Sequence, residues 1–98
     1  MMKLRINPVV VEDLKNIKKY IAEDNEEMAV KTIQEIYVQI ENIQQFPHMG
    51  ADLAKRVSFR TDYKYVICGN YVVFYKIGDE YVEISRVMNR YQDITQIY

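Results

Sequence analysis

The segment from Cys68 to Asp93 constrains the fold more than any other part of the chain. It reads as two β-strands, Tyr71–Ile77 and Glu80–Val87, joined by the loop Gly78–Asp79. Glycine at the first position of a two-residue loop predicts a type II′ hairpin turn, because that position requires a positive φ. The sequence therefore predicts an antiparallel hairpin against which the other elements must pack.

The predicted register gives this hairpin one apolar face and one mixed face, since cross-strand partners share a face. The apolar face is formed by three pairs: Ile77 opposite Glu80, Tyr75 opposite Val82, and Val73 opposite Ile84. The mixed face carries Val72, Phe74, Lys76, Tyr81, Glu83 and Ser85. The apolar face requires a cover, whereas the mixed face suits contact with water or with a partner.

The first helix is predicted to follow a short strand at Lys3–Asn7. Asn7 is a favoured N-cap residue, and Pro8 fits the first helical position, where a missing N–H costs nothing. The apolar side of this helix repeats at spacings of four, three and four residues, at Val10, Leu14, Ile17 and Ile21.

The second helix is predicted over Glu26–Phe46 and ends before Pro47. Asp24 with Glu27 has the spacing of a capping box. Its apolar stripe comprises Ala29, Ile33, Ile36, Tyr37, Ile40 and Ile43. Two such helices with a tight link form a helical hairpin, which is the natural cover for the apolar face of the sheet.

The remaining segments complete one predicted α+β domain over residues 1–98. We expect a loop at Met49–Phe59 with a short helical turn at Ala51–Lys55, and a third strand at Asp62–Cys68. After Asn89, the apolar residues are spaced for a short helix or a docked tail. The predicted order is β-α-α-β-β-β, a mostly antiparallel, twisted sheet covered on one face by the helical hairpin.

Composition excludes several classes of function. The net charge is −1 and the pI is about 5.8, which argues against a broad nucleic-acid-binding surface, since such surfaces are basic. Neither an export signal nor an apolar run long enough to cross a membrane is apparent, so we expect a cytoplasmic protein. Cys68 and His48 are each the only residue of their type. We therefore expect no disulfide, no metal site and no cofactor.

Four motifs in this order resemble the RelE/ParE family, the toxins of bacterial type II toxin–antitoxin pairs. The motifs are E-D-L-K-N-I-K-K-Y-I-A at 12–22, F-P-H-M-G at 46–50, N-Y-V-V-F-Y at 70–75 and R-V-M-N-R-Y-Q-D at 86–93. The resemblance covers essentially the whole chain. It implies a growth-inhibiting toxin that is neutralised by a cognate antitoxin protein.

The family divides by target, and this chain departs from the ribosome-dependent ribonucleases at two positions. Those members carry an Arg in the central strand, where this chain has Val72, and a His or Tyr near the C-terminus. The His of their common C-terminal motif is Asn89 in this chain. An amide cannot exchange a proton near neutral pH, whereas RNA cleavage needs an acid and a base. The resemblance thus favours ParE-like, non-catalytic inhibition of DNA gyrase. The alternatives are a metal-independent mRNA endoribonuclease acting on the ribosome, and a degenerate member that binds antitoxin without toxicity.

The resemblance implies two sets of site residues. The target-binding set comprises Arg60, Lys64, Arg86, Arg90, Tyr91 and Asp93. The antitoxin-binding set comprises Val72, Phe74 and Tyr81, which we expect to form an exposed apolar strip that an antitoxin segment covers. No catalytic residue is assigned. A structural alternative for Arg86 is an ion pair with Asp93 or Glu83 that fastens the tail to the sheet.

Overall fold

The computed structural model describes residues 2–91. The elements are β1 (Lys3–Ile6), α1 (Pro8–Ala22), α2 (Glu26–Gln45), β2 (Ala51–Asp52), β3 (Lys64–Cys68), β4 (Tyr71–Ile77) and β5 (Tyr81–Asn89). Single 3₁₀ turns lie at Pro47–Met49 and Leu53–Lys55. The strands form one sheet in the order β1-β5-β4-β3-β2, in which β1 runs parallel to β5 and every other pair is antiparallel. The predicted α+β fold is confirmed, and β2 is an additional strand in the region predicted to be a loop.

Side chains at the N-termini determine where both helices begin. The Asn7 side chain accepts a hydrogen bond from the backbone N–H of Val9 at 3.1 Å, as the sequence predicted. The predicted capping box of α2 is wrong, because Asn25 and not Asp24 is the N-cap, and its side chain accepts from Met28 N–H at 3.1 Å. Among residues 2–91, neither helix combines the length and the apolarity needed to cross a membrane.

The main core lies between the helical hairpin and one face of the sheet. The helices contribute Val10, Leu14, Ile17, Ile36, Ile40 and Ile43, and the strands contribute Tyr71, Val73, Tyr75, Val82, Ile84 and Val87. These side chains are at most 9% exposed, and burying each one stabilises the fold by about 1.5–3 kcal/mol. Tyr37 was predicted in the stripe of α2, but it is 45% exposed at the margin of the buried surface.

Tyr75 connects the sheet to the turn that follows α2. Its ring is fully buried, its hydroxyl donates to the backbone oxygen of Pro47 at 2.7 Å, and it accepts from Gly50 N–H at 2.9 Å. A Cβ atom at Gly50 would lie 2.8 Å from Cε1 of Tyr75. The F-P-H-M-G motif therefore supplies the two backbone partners of the Tyr75 hydroxyl, and its glycine leaves room for the ring.

The turn between β4 and β5 differs from the predicted one. Ile77 pairs with Val82 rather than with Glu80, so the predicted register is wrong by two residues. Gly69, in the turn between β3 and β4, is the one residue of 2–91 with a positive φ, which rules out a type II′ turn at Gly78. A Cβ atom at Gly78 would lie 2.6 Å from the Tyr81 ring, so space rather than backbone conformation requires this glycine. A shift of two residues preserves the faces of both strands.

A β-bulge at Ser85 changes the register again within the same pair of strands. Tyr75 pairs with Ile84, but the next residue, Phe74, pairs with Arg86. Because the bulge adds one residue to β5, Ile84 and Val87 both face the helices despite a spacing of three. The predicted pairing of Val73 with Ile84 is wrong by three residues, two from the turn and one from the bulge, and Val73 pairs with Val87.

Replacing Ser85 with Ala is expected to leave the free energy of unfolding unchanged or to raise it by up to about 1 kcal/mol. The Ser85 Oγ is buried and has no hydrogen-bond partner among the described residues, and an unsatisfied buried hydroxyl costs about 1–3 kcal/mol. Urea unfolding of the variant beside the unmodified protein measures the change. A loss above about 1 kcal/mol would mean that the hydroxyl stabilises the bulge.

A second, smaller core lies on the far face of the sheet, which we define as the face opposite the helices. Residues 53–63, termed the covering segment, extend across part of this face. Leu53, Val72 and Phe74 form the buried cluster, and Val57, Tyr63, Tyr65 and Met88 pack around it. The sheet therefore lies between two layers of unequal extent.

Candidate functional site

The covering segment buries two of the three predicted antitoxin-binding residues. Val72 is 5% exposed and Phe74 is 2% exposed beneath Leu53. The premise that they form an exposed apolar strip is therefore wrong, because a segment without regular sequence periodicity covers them. Tyr81 is half-buried, and the guanidinium carbon of Arg5 lies 3.9 Å from the centre of its ring. Binding of an antitoxin by these three residues stays a prediction.

Arg86 is held by a residue of α1 that the sequence did not point to. Asp13 accepts from Nε and from Nη2 of Arg86, both at 2.9 Å, and from Val87 N–H at 3.0 Å. The hydrogen bonds from Arg86 to the Asp13 carboxylate raise the pKa of the guanidinium. The proposed ion pair of Arg86 with Glu83 is wrong, because Asp13 is its partner, and Asp93 lies outside the described residues.

The Asp13–Arg86 pair closes the edge of β5 where β1 ends. β1 pairs with β5 only as far as Ile84, and Asp13 takes the next outward-facing N–H, that of Val87. The side chain of Asp13 is 10% exposed and that of Arg86 is 33% exposed. Arg86 is consequently part of the junction between α1 and the sheet, and its guanidinium is already occupied.

The ammonium group of Lys64 is also held in an ion pair within the fold. Its ammonium donates to Asp52 Oδ1 at 2.7 Å across the β2–β3 pair, and its side chain is 19% exposed. The hydrogen bond and charge of Lys64 lower the pKa of Asp52. The contact joins the two-residue strand β2 to β3, so the structure gives Lys64 a role within the fold.

The remaining predicted target-binding residues lie on the surface. Arg60 is exposed in the covering segment, and Tyr91 is 76% exposed. Arg90 is exposed at the end of β5, where its backbone N–H donates to Asn70 O at 2.9 Å and its Nη1 donates to Gly69 O at 3.3 Å. Their contact with a target stays a prediction.

An open groove of about 330 Å³ lies on the far face, beside the covering segment. We term it the arginine groove. It is lined by Leu53, Arg56, Tyr65, Ile67, Val72, Phe74 and Arg90. Its floor is apolar and two guanidinium groups lie on it, so it is suited to a ligand that combines apolar and negatively charged groups.

Sequence reasoning missed Arg56 because it lies in the least patterned stretch of the chain. Only the path of the covering segment brings it near β3, where its guanidinium carbon lies 5.6 Å from the centre of the Tyr65 ring. A similar contact places Lys76 Nζ 5.8 Å from the Tyr63 ring. The far face thus carries cations next to tyrosine rings, and no spacing in the sequence indicated this.

The chemistry of the arginine groove differs from that of an acid–base site. None of its seven lining residues is a histidine or a carboxylate. His48, the one histidine of the chain, lies in a separate depression with Met2, Gln44 and Glu80. Within residues 2–91, no cluster of three potential metal ligands is present.

Comparison with known proteins agrees with this architecture. The chain matches a solved structure described as a chromosomal ParDE toxin–antitoxin system from P. aeruginosa, with 22% identity and a TM-score of 0.74. The match covers 91% of this chain and 96% of the other. No curated protein matches. The family model described as the ParE toxin of the type II toxin–antitoxin system parDE matches residues 4–94. The chain therefore belongs to the ParE toxin family.

Proposed function

We propose that this chain inhibits growth by binding DNA gyrase rather than by catalysis, and that a cognate antitoxin neutralises it in the cytoplasm. The main observation in support is the composition of the arginine groove, which contains two arginines, apolar side chains and one tyrosine but no histidine or carboxylate. RNA cleavage at neutral pH depends on such groups to move protons, and they contribute about 10²–10⁴ in rate.

The ion pair of Arg86 with Asp13 supports the same proposal. Arg86 belongs to the motif near the C-terminus in which a ribonuclease would hold its cationic and acid–base groups. Here Asp13 binds it in a bidentate pair, and Asn89 stands where the ribonucleases have a histidine. A guanidinium that is neutralised by its own carboxylate stabilises a developing phosphate charge less well than a free one.

We expect purified protein to inhibit DNA supercoiling by gyrase and to leave ribosome-bound mRNA intact. Supercoiling is followed with relaxed plasmid and purified gyrase, and cleavage is followed by primer extension on ribosomes programmed with a defined mRNA. The control in the supercoiling assay is the protein premixed with the product of the adjacent gene, which should restore supercoiling.

Two results would contradict this proposal. Cuts confined to the ribosomal A-site, with supercoiling unaffected, would identify a ribonuclease. Normal bacterial growth at high expression of folded protein would identify a degenerate member that has lost toxicity. The growth test compares expression alone with co-expression of the adjacent gene product, which we expect to rescue growth.

A further inference from the structure

A second open depression lies at one end of the main core, between α1, the start of β4 and the end of β5. Its volume is about 420 Å³, and we term it the tyrosine pocket. Asn16, Ile17 and Tyr20 of α1 line one side, and Tyr71 and Met88 of the strands line the other. In the described part of the chain it shares no lining residue with the arginine groove, so it is a separate surface of the protein.

The tyrosine pocket presents no free charge. Among residues 2–91, Asp13 and Arg86 are its only charged lining residues, and they form the bidentate pair described above. The Asp13 carboxylate also accepts from Val87 N–H. A charged group that entered the pocket would lose water without meeting a free opposite charge, which is unfavourable. The pocket is therefore suited to an uncharged ligand.

The two tyrosines suit the pocket to an apolar or aromatic side chain. Tyr71 is 8% exposed and Tyr20 is 71% exposed, so one ring is fixed in the core and the other is open to solvent. Burial, and to a lesser extent the neighbouring Tyr20, raises the pKa of the Tyr71 hydroxyl, which stays a hydrogen-bond donor at neutral pH. A side chain placed between the rings would bury aromatic area that Tyr20 leaves exposed in the free chain.

The composition of the pocket is that of a protein-binding surface. Its described lining contains two tyrosines, a methionine and an arginine, but neither lysine nor glutamate. The cores of protein interfaces are enriched in tyrosine, methionine and arginine and depleted of lysine and glutamate. Arg90 and Tyr91, which follow the pocket residue Asn89, are exposed and belong to the predicted target-binding set. The pocket is therefore continuous with a surface that the sequence assigned to the target.

We propose that the tyrosine pocket is where this toxin contacts gyrase, and that an uncharged segment of gyrase places an apolar or aromatic side chain between Tyr20 and Tyr71. This inference rests on the proposed function, since it assigns a site to the proposed target. The Asn16 amide and the Nη1 group of Arg86, which Asp13 does not engage, line the same pocket and can hydrogen-bond the backbone of that segment. An acidic segment fits less well, because Asp13 already neutralises Arg86.

The test compares tyrosine variants of the full chain in the gyrase supercoiling assay. In Tyr20→Ala, the concentration needed for half-inhibition should rise about thirtyfold or more, because an interface tyrosine in a pocket is commonly a hot spot. Tyr20→Phe keeps the ring and should stay within about threefold of the unmodified protein. The matched control is Tyr37→Ala on α2, which is 45% exposed and does not line the pocket, and it should also stay within about threefold.

Asn16→Asp tests the requirement for an uncharged pocket. It adds a negative charge beside the Asp13–Arg86 pair, and it should weaken inhibition about tenfold or more because no opposite charge compensates it. The control Gln34→Glu adds the same charge to the exposed surface of α2 and should leave inhibition unchanged. For every variant, the melting curve and the affinity for the product of the adjacent gene should match those of the unmodified protein, which shows that each variant is folded.

The inference is overturned if Tyr20→Ala inhibits gyrase as well as the Tyr37→Ala control does, or if Asn16→Asp inhibits at full strength. It is also overturned if Tyr20→Ala weakens binding of the adjacent gene product instead of gyrase, since the pocket would then belong to the antitoxin. Failure of the unmodified protein to inhibit gyrase contradicts the proposed function, and this inference falls with it. A potent unmodified protein with equally potent pocket variants overturns this inference alone.

Discussion

Replacing Asp13 with Ala is expected to lower the free energy of unfolding by about 3 kcal/mol. The carboxylate accepts three hydrogen bonds, two from Arg86 and one from Val87 N–H, and its side chain is 10% exposed. Its removal leaves a partly buried guanidinium without its partner and a strand edge with an unsatisfied donor, each of which is costly. Urea unfolding followed by circular dichroism measures the loss.

Glu12 offers the matched control for Asp13, because it is adjacent on the same helix and its ion pair with Lys15, at 3.7 Å, is solvent-exposed. Glu12→Ala should change stability by less than about 1 kcal/mol. Arg86→Ala should lose stability and toxicity together, since its guanidinium serves the fold. A loss below about 1 kcal/mol for Asp13→Ala would show that water replaces the carboxylate at this junction.

Replacing Tyr75 with Phe is expected to cost about 2–3 kcal/mol although the ring remains in place. The hydroxyl donates to Pro47 O and accepts from Gly50 N–H, and Phe leaves both backbone groups without this partner. Tyr20, which is 71% exposed, provides the control. Tyr20→Phe should change the free energy of unfolding by less than about 0.5 kcal/mol. Equal unfolding midpoints for the two variants would contradict the prediction.

Because the Tyr75 hydroxyl is buried, we also expect the protein to lose stability at alkaline pH. Burial raises the pKa of Tyr75, although its hydrogen bond with Gly50 lowers it in part, and burial also raises the pKa of Tyr71. The folded protein then holds these protons more tightly than the unfolded chain does. Their contribution is complete below the ordinary tyrosine pKa of about 10 and declines as pH rises through the raised values. Tyr75→Phe should make this decline shallower, as measured by melting temperature against pH.

Local patterns predicted the helices, β4 and the topological order well. The stripe of α1 and the Asn7 cap depend on residues a few positions apart, and such signals are present in the sequence itself. The F-P-H-M-G motif ended α2 near the predicted point, because proline cannot continue a helix. The alternation of β4 likewise assigned Val73 and Tyr75 to the helical face.

The register of β5 and the site could not be predicted because tertiary contacts determine them. The bulge at Ser85 places Arg86 beside Asp13, a residue far away in the sequence. The covering segment has no periodicity, yet it buries Phe74 and brings Arg56 to the groove. Such contacts depend on the path of a whole loop, for which short-range spacing carries no information.

The parallel pairing of β1 with β5 ties folding to the order of synthesis. β1 has its partner in β5, which follows it much later in the chain, and α1 also packs on β5. Neither contact can form until Tyr81–Asn89 has emerged, and closure across so much chain is slow. A nascent chain that stops before β5 therefore lacks the strand that joins β1 to the rest of the sheet. We expect such fragments to be non-toxic and sensitive to proteolysis. The folded toxin would then form only after translation has passed β5.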